Sequence, residues 1–266
     1  MRILWTALLV SAIASYGARA ETNQQKGKRI VDQAVSALGG QAFLSMRNRV
    51  ESGRIYGFYH EKLSGLGVST LYTQYSPRTA SPEGSLGLRV RDARGKKLDD
   101  VYLYGDGLGF EITFRGARPL ADAVVNQFKL GTLHNIFYIL RQRLEEPGMI
   151  FESRGSDFYE NRPVEIVDIT DSNNDLVTVY FDQSTRLPTW QHYYRKDPID
   201  NEKLEEVTIF GKYREVSGVV WPFTIRRERN GEKVFEMYSE SVEINKDLQD
   251  SLFTLPPGLK ILKKDK

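Results

Sequence analysis

The alternation of apolar and polar positions predicts that most of this chain forms short β-strands. From about Arg47 to Tyr59 the side chains alternate with a period of two, which is typical of a strand. Further runs of this kind follow, separated by Gly, Pro, Asn and Asp turns. They lie at residues 68–75, 86–91, 101–104, 110–114, 149–153, 164–169, 176–181, 189–194, 204–213, 219–227 and 234–244. The sequence therefore predicts about 11–12 strands joined mostly by hairpins.

Two tight turns are predicted from residues that tolerate a positive φ angle. Asn230 and Gly231 form the dipeptide that most favours a two-residue hairpin. Residues 106–110 (Asp-Gly-Leu-Gly-Phe) predict a second tight hairpin, because their glycines can take a positive φ without a steric penalty. Pro222 lies inside a predicted strand but cannot donate a ladder hydrogen bond, so we expect an edge or a bulge there.

Two segments change to helical spacing. The first ends at Gly39 and Gly40, and its apolar face consists of Ile30, Ala34, Val35 and Leu38. The second covers residues 120–144 and follows Pro119, which suits a first helical turn. Its apolar positions are Leu120, Val124, Phe128, Leu133, Ile136, Phe137, Leu140 and Leu144. We expect one interrupted helix or two short ones, jointed at Gly131, with much of their surface buried.

One architecture accommodates all of these elements. It is a mainly β fold, in which a curved antiparallel sheet forms a half-open barrel around a buried helical insert, with an N-terminal helix. The chain contains no linker, repeat or low-complexity segment, so residues 21–266 are expected to form a single domain. A helix that fills the concave face only in part would leave an apolar cavity.

The first 20 residues have the pattern of a cleaved secretory signal peptide. Arg2 precedes an apolar run at residues 3–13, and residues 18–20 (Ala-Arg-Ala) form an A-x-A cleavage site before Glu21. The alternative is a membrane anchor, but a spanning helix requires roughly 20 apolar residues, about twice the length of this run. The sequence therefore predicts export, with cleavage between Ala20 and Glu21.

Removal of the signal peptide would leave a neutral chain. The whole sequence has 37 Lys and Arg against 35 Asp and Glu. Arg2 and Arg19 leave with the signal, so 35 basic residues remain (37 minus 2) against 35 acidic ones. This balance argues against nucleic acid, which selects a basic surface. Because the chain has no cysteine, we expect neither disulfides nor a lipidated cysteine, and predict a diffusible protein of the bacterial periplasm.

No pattern in the sequence indicates catalysis, a cofactor or a metal. His60, His134 and His192 are isolated, and no H-x-x-H or H-E-x-x-H spacing occurs. A cysteine nucleophile, a G-x-S-x-G turn and a phosphate-binding loop are absent from the sequence as well. We therefore expect a non-enzymatic protein without cofactor or metal. A periplasmic enzyme whose site assembles across the fold is the weakest alternative.

Several phrases resemble the periplasmic lipoprotein-carrier family, the LolA-like proteins. They are Leu38-Gly39-Gly40, Val50-Glu51-Ser52-Gly53, Val179-Tyr180-Phe181-Asp182 with Leu187-Pro188, residues 210–216, residues 218–222 and residues 244–256. Their order covers most of the mature chain. The resemblance implies a half-open antiparallel barrel with helices as a lid over an apolar cavity. It also implies that the protein binds lipids or acyl chains and carries them across an aqueous space.

Aromatic and aliphatic residues are the candidates for such a cavity and its lid, with core packing as the alternative role for each. They are Tyr56, Phe58, Tyr72, Tyr102, Tyr104, Phe128, Leu133, Phe137, Leu140, Phe210 and Trp221. The predicted function is a periplasmic carrier or chaperone, which is expected to be a monomer. Its expected partners are a lipid or acylated lipoprotein and membrane-bound donor and acceptor proteins. An envelope sensor or scaffold that binds a protein is the alternative.

Overall fold

The structure is a computed structural model that describes residues 20–77, 85–105, 107–197 and 200–264. The apolar run predicted as a signal peptide lies outside the described residues. Within the described ranges, no helix combines the length and apolar character needed to cross a membrane.

The described strands form one antiparallel sheet. They are β1 (Asn48–Tyr59), β2 (Lys62–Tyr75), β3 (Leu88–Arg94), β4 (Asp100–Gly105), β5 (Leu108–Thr113), β6 (Gly116–Pro119), β7 (Ile150–Tyr159), β8 (Arg162–Thr170), β9 (Leu176–Asp182), β10 (Pro188–Lys196), β11 (Lys203–Val216), β12 (Val219–Arg229) and β13 (Glu232–Ile244). Their order is β6-β5-β4-β3-β2-β1-β13-β12-β11-β10-β9-β8-β7. Since β6 and β7 are the two edges and do not pair, the sheet is open, and the predicted half-open, mainly β architecture is confirmed.

The strand order makes the chain cross the sheet once. The first strand, β1, pairs with the last, β13, at the centre. From there β2 to β6 run outward to one edge, whereas β7 to β12 run inward from the other. The segment between Pro119 and Ile150 therefore has to pass from one edge of the sheet to the opposite edge.

The thirteenth strand, β6, was not predicted. Its four residues, Gly116–Pro119, are too few for an alternating pattern to be visible. The expectation that Pro119 opens a helix was wrong, because Pro119 pairs with Phe110 of β5 and ends a strand. The helix begins three residues later, at Asp122.

Both predicted hairpins are confirmed. Asn230 has φ 49° and Gly231 has φ 80°, as a two-residue turn between β12 and β13 requires. At the other hairpin, Gly105 of β4 pairs with Leu108 of β5.

The proline expected at an edge or bulge lies where one ladder stops. Pro222 pairs with Tyr213 of β11. On its other side, the register between β12 and β13 begins at Thr224. The missing N–H of proline is therefore accommodated beyond the end of the β12–β13 ladder.

The predicted N-terminal helix is confirmed as α1 (Asn23–Ala37). It begins with a capping box, in which the Thr22 hydroxyl accepts from the Gln25 N–H at 3.1 Å and the Gln25 side chain accepts from the Thr22 N–H at 2.9 Å. Gly39, with φ 115°, follows its end, and a short helix α2 (Gln41–Leu44) comes next. The predicted apolar face is buried: Ile30, Ala34, Val35 and Leu38 are at most 7% exposed.

The central helical segment was predicted correctly only in part. It consists of α3 (Asp122–Leu133), α4 (Ile136–Tyr138) and a π-helical turn (Ile139–Arg143) that continues α4. All three residues of α4 are buried, and so are four of the five in the π-helical turn. In contrast, no residue of α3 is buried, so the expected burial of this half was wrong.

The joint between the two helices lies at Asn135 and not at Gly131, which is inside α3. The Asn135 side chain accepts hydrogen bonds from the N–H groups of Phe137 and Tyr138 at 3.0 and 3.3 Å. A side chain that satisfies these free donors starts a new helix, and asparagine is among the residues that do this best.

The main core forms where α1, α2 and α4 pack on the sheet. Its largest fully buried members include Phe43, Phe181, Ile30, Leu38, Met46, Ile136, Ile139, Leu140 and Ile169. The closest approach of α1 to the sheet is at Gly27, where an added Cβ atom would lie 2.5 Å from the Phe151 carbonyl oxygen of β7. Glycine is therefore required at this position by the packing of helix on strand.

We expect Gly27→Ala to destabilise the protein by about 1–3 kcal/mol, because the new methyl group has to displace backbone atoms of β7. Alanine in place of glycine normally stabilises a helix by about 1 kcal/mol. At Gly27 the expected change in the free energy of unfolding therefore has the opposite sign. The midpoint of urea unfolding measures the effect.

Gly131→Ala is the matched control. Its nearest atom to an added Cβ is the Tyr193 hydroxyl at 3.8 Å, an ordinary contact distance. This variant should be neutral or more stable. Equal midpoints for the two variants would contradict the close packing of α1 on β7.

Candidate functional site

The two faces of the sheet are covered by different parts of the chain. Paired residues on neighbouring strands share a face, and successive residues of one strand point to opposite faces. The face that carries Phe210 and Trp221 packs against α1 and α4. The opposite face carries Val101 and Leu103, which pack against Leu255 of the C-terminal segment. We call the first the concave face and the second the convex face.

The part of the concave face next to α4 is filled. The Phe137 ring lies 4.9 Å from that of Phe210 and 4.7 Å from that of Trp221, measured between centroids. Leu140 is fully buried in the same cluster, and the other three side chains are at most 4% exposed. These four predicted site residues are therefore brought together, but as part of the main core.

Farther along the strands, the concave face is less covered. Ile55, Met237 and Ile225 lie side by side on β1, β13 and β12. Ile55 and Ile225 are partly exposed, and so is Phe235, two residues beyond Met237. Ile55, Ile225 and Phe235 thus remain partly accessible to solvent, whereas Met237 between them is buried, at 5% exposure. We call this region, defined by Ile55, Ile225, Phe235 and Met237, the open half of the concave face.

The helix α3 bridges the two sides of the sheet. Its Phe128 stacks on Tyr104 of β4, with ring centroids 4.0 Å apart. At its C-terminal end, His134 stacks on Tyr193 of β10 at 4.2 Å. Because β4 and β10 belong to opposite halves of the sheet, α3 extends across the concave face. With no buried residue and an aromatic contact near each side, it has the position of a lid.

Three predicted site residues lie together where the lid packs on the rest of the protein. Tyr104, Phe128 and Leu133 pack around the buried Tyr138 in a second, smaller cluster. The Tyr138 hydroxyl donates to the Leu86 carbonyl at 2.7 Å, and burial raises the pKa of Tyr138 to about 12. The phenol is therefore a neutral hydrogen-bond donor that joins α4 to the segment before β3.

The end of α3 is fixed by a buried ion-pair network. The Arg143 guanidinium donates to the Leu133 carbonyl at 3.1 Å, to Asp171 at 2.8 Å and to Glu146 at 2.6 Å. Burial alone would raise the pKa of Asp171, but Arg143 and two backbone N–H groups outweigh it and lower that pKa. Arg143 therefore ties the lid to the turn between β8 and β9.

The far end of the concave face carries charged side chains. Arg94 pairs with Asp92 at 2.6 Å on β3, and Asp92 also accepts from Ser69 at 2.6 Å. On the other side, Arg195 and Arg229 both pair with Glu206, at 2.7 and 2.9 Å. We call these five charged residues, together with Arg227 of β12, the charged rim.

Two tyrosines adjoin the charged rim. Burial and the charge of Glu206 raise the pKa of Tyr193 to about 12. Burial, Asp100 and a hydrogen bond to Glu111 raise the pKa of Tyr102 to about 12 as well. The predicted site residue Tyr102 thus lies at the rim, and both phenols stay protonated at neutral pH.

The remaining predicted site residues lie elsewhere. Tyr72 pairs with Arg91, on the face opposite to Leu71. Tyr56 contacts Tyr238 at 5.6 Å between ring centroids, and Phe58 lies under the Lys233 ammonium at 4.1 Å. By strand alternation these three aromatics are on the convex face, so the structure does not bring them together with the lid or the core.

Neither the residues of the charged rim nor Tyr193 were among the predicted site residues. A signal for the rim exists in β12, where Trp221, Phe223, Ile225, Arg227 and Arg229 alternate on one face and change from apolar to basic. Among the described residues, no group of three or more His, Cys, Asp or Glu is placed to hold a metal ion.

Solved structures with the same arrangement of sheet and helices are known. Neither a family model nor a curated protein matches the sequence of this chain. A LolA superfamily protein from Nitrosomonas europaea is 12% identical, with a TM-score of 0.51, and the match covers 86% of this chain and 97% of that one. The chain has a LolA-like fold. The resemblance stated from the sequence is thereby confirmed for the fold.

Two further structures share this LolA-like fold. A domain from Vibrio parahaemolyticus, assigned to outer membrane lipoprotein sorting, is 11% identical with a TM-score of 0.56, over 87% of this chain and 97% of that one. A DUF1329 family protein from Desulfovibrio piger is 11% identical with a TM-score of 0.58, over 86% and 97%. At these identities the likeness concerns the fold alone.

We expect Phe128→Ala to loosen the lid. The change removes the stack on Tyr104, and aromatic pairs of this kind contribute about 0.5–1.5 kcal/mol beyond the area they bury. Amide hydrogen exchange in residues 122–133 should accelerate about threefold to tenfold, while exchange in α4 stays unchanged. Phe114→Ala is the control, because Phe114 is 90% exposed. Unchanged exchange in α3 of the Phe128 variant would contradict the anchoring role of this stack.

We expect Asp171→Asn to lower stability at neutral pH by about 1–3 kcal/mol, since a charge-assisted hydrogen bond is lost. The pKa of Asp171 is lowered in the folded state, so its contribution is present above the unfolded-state pKa and is lost as the pH falls. The variant should therefore lose less stability than the wild type between pH 7 and pH 3, measured by urea unfolding. An equal loss in both proteins would contradict this linkage.

Proposed function

We propose that this protein is a non-enzymatic carrier or chaperone for an apolar ligand, namely a lipid or the acyl chain of a lipoprotein. The observation that carries the proposal is the combination of partly exposed apolar side chains on the concave face (Ile55, Ile225 and Phe235) with a helix, α3, that bridges the two sides of the sheet and has no buried residue.

The energies favour a lid that a ligand can displace. Each of the two aromatic stacks that hold α3 contributes about 0.5–1.5 kcal/mol beyond area burial. An acyl chain gains about 0.8 kcal/mol for each methylene that leaves water. Ten buried methylenes would therefore contribute about 8 kcal/mol, more than the two stacks together. Binding can compensate for a shift of α3, while Arg143 keeps the end of that helix attached.

The proposed place of action is the bacterial periplasm, between a membrane-bound donor and an acceptor at the outer membrane. The signal pattern of residues 1–20 and the neutral mature chain support this. The lipoprotein-sorting assignment of the similar Vibrio domain supports a cargo of this class, although the likeness itself is one of fold.

A second candidate function is a sensor or scaffold that binds a protein. The observation that favours it is a row of aromatic rings on the convex face of β7, β9 and β10. Trp190 is at its centre, with its ring centroid 4.3–5.4 Å from those of Tyr159, Tyr180 and His192. The His192 ring in turn lies 5.7 Å from that of Tyr194. Tyr194 is 49% exposed, so the row is accessible to a partner.

A lid locked by a disulfide would test the carrier function. The chain has no cysteine, so Gly109→Cys with Val125→Cys introduces a single pair. A Cβ atom at Gly109 would lie 3.0 Å from the Val125 Cγ2 atom, close enough for the Cβ separation of about 3.5–4.5 Å that a disulfide needs. The oxidised variant should take up the apolar dye Nile red at least tenfold more slowly than the reduced one.

Each single-cysteine variant is the control, because neither can form the bond within one molecule. Lipid extracted from protein purified from its native periplasm, identified by mass spectrometry, provides the second measurement. Three results together would refute the carrier and favour the scaffold. They are equal rates of dye uptake with and without the disulfide, no bound lipid, and a stable protein partner.

A further inference from the structure

The charged rim lies directly beyond the apolar residues of the open half. On β12, Arg227 is the next residue after Ile225 on the concave face, and it pairs with Phe235 of β13. Two residues of a strand span about 6.6–6.8 Å, so the change from apolar to basic occurs over one short step. A ligand that lies along the strands in the open half would therefore reach the arginines at its end.

Curvature brings the two sides of the rim towards each other. In sheet order, β3 and β12 are separated by β2, β1 and β13. A flat sheet would hold strands four places apart at about 19 Å. Nevertheless the charges of Asp92 and Arg94 on β3 affect the pKa of Arg227 on β12, as do Tyr193 and Glu206. The stacks of α3 on Tyr104 of β4 and of His134 on Tyr193 of β10 show the same approach of the two sides of the sheet. The rim therefore surrounds the end of the concave face instead of lying on a flat surface.

Arg227 differs from the other arginines of the rim. Arg94 is paired with Asp92, and Arg195 and Arg229 share Glu206. For Arg227, the described residues provide the Phe235 ring, 5.4 Å from the guanidinium carbon, but no carboxylate within ion-pair distance. Among the four arginines of the charged rim, Arg227 is thus the one with no carboxylate at ion-pair distance in the described residues.

The surroundings of Arg227 are those of a binding site more than of an outer surface. Its side chain is accessible to solvent, yet the protein around it removes enough hydration to lower the pKa of its guanidinium. Solvent accessibility and a lowered pKa are both expected for a side chain that projects into a hollow open to water. A guanidinium without a carboxylate partner gains from a bidentate anionic ligand, and arginine matches the geometry of carboxylate and phosphate.

We propose that the open half and the charged rim together bind an anionic amphiphile, with its acyl chain over Ile225 and Phe235 and its carboxylate or phosphate head group on Arg227. This inference rests on the proposed carrier function and specifies its ligand. The alternating sequence of β12 provides a matched control. Arg226 is the neighbour of Arg227 but points to the convex face, where it pairs with Glu228 at 2.9 Å.

The test compares three ligands that share a sixteen-carbon chain: hexadecanoate, hexadecyl phosphate and the uncharged hexadecanol. Their affinities are measured below the concentration at which they form micelles, by competition with Nile red, for the wild type, Arg227→Gln and Arg226→Gln. The wild type should bind at least one of the two anions about tenfold to a hundredfold more tightly than hexadecanol, as expected for a charge-assisted hydrogen bond. A preference between the two anions distinguishes a carboxylate from a phosphate head group.

The Arg227→Gln variant should lose this preference for the anion and keep the affinity for hexadecanol, whereas Arg226→Gln should keep both. Arg227→Lys, which retains the charge but not the planar fork, should keep part of the preference, and thermal unfolding verifies that each variant is folded. Equal binding of anions and hexadecanol by the wild type would overturn this inference while leaving the carrier function intact. Failure of all three ligands to bind would overturn both.

Discussion

The single crossing of the chain from β6 to β7 is the constraint on which the rest of this structure depends. Because β1 and β13 pair at the centre of one open sheet, the two edges belong to strands that follow each other in sequence. The connection between Pro119 and Ile150 must therefore span the concave face. It does so as two helices with different roles, since α4 is buried in the core and α3, without a buried residue, connects β4 with β10.

This division leaves the concave face unevenly stabilised. The half beneath α1 and α4 has side chains packed as in any protein interior, and Gly27 brings the helix backbone against β7. The helix α3 is held instead by two aromatic stacks, by the hydrogen bond from Arg143 to Leu133, by the packing of Leu130 on the main core and by the ion pair between Asp122 and Lys264. Elements with few buried contacts open at low free-energy cost. The same topology thus provides a rigid scaffold and a cover that can move.

The sequence predicted the fold well because its signals are local. Alternation marks each long strand, and Asn230 and Gly231 fix a hairpin through their own backbone preferences. The open half could not be predicted in this way, since strand alternation separates two faces without saying which one the helices cover. Tyr56 and Tyr104 are both aromatic residues in strands, yet only Tyr104 meets the lid. The difference arises from the crossing, which is a property of the whole chain.

The charged rim follows from the same uneven covering. An apolar surface that is exposed to water favours non-specific association with other proteins. Charged residues around such a surface limit these contacts. Arginines do so while their methylene stems continue the apolar surface. Three of the four rim arginines pair with Asp92 or Glu206, which hold them in position. The unpaired fourth, Arg227, gives the mouth of the hollow a chemical preference that its apolar lining alone would lack.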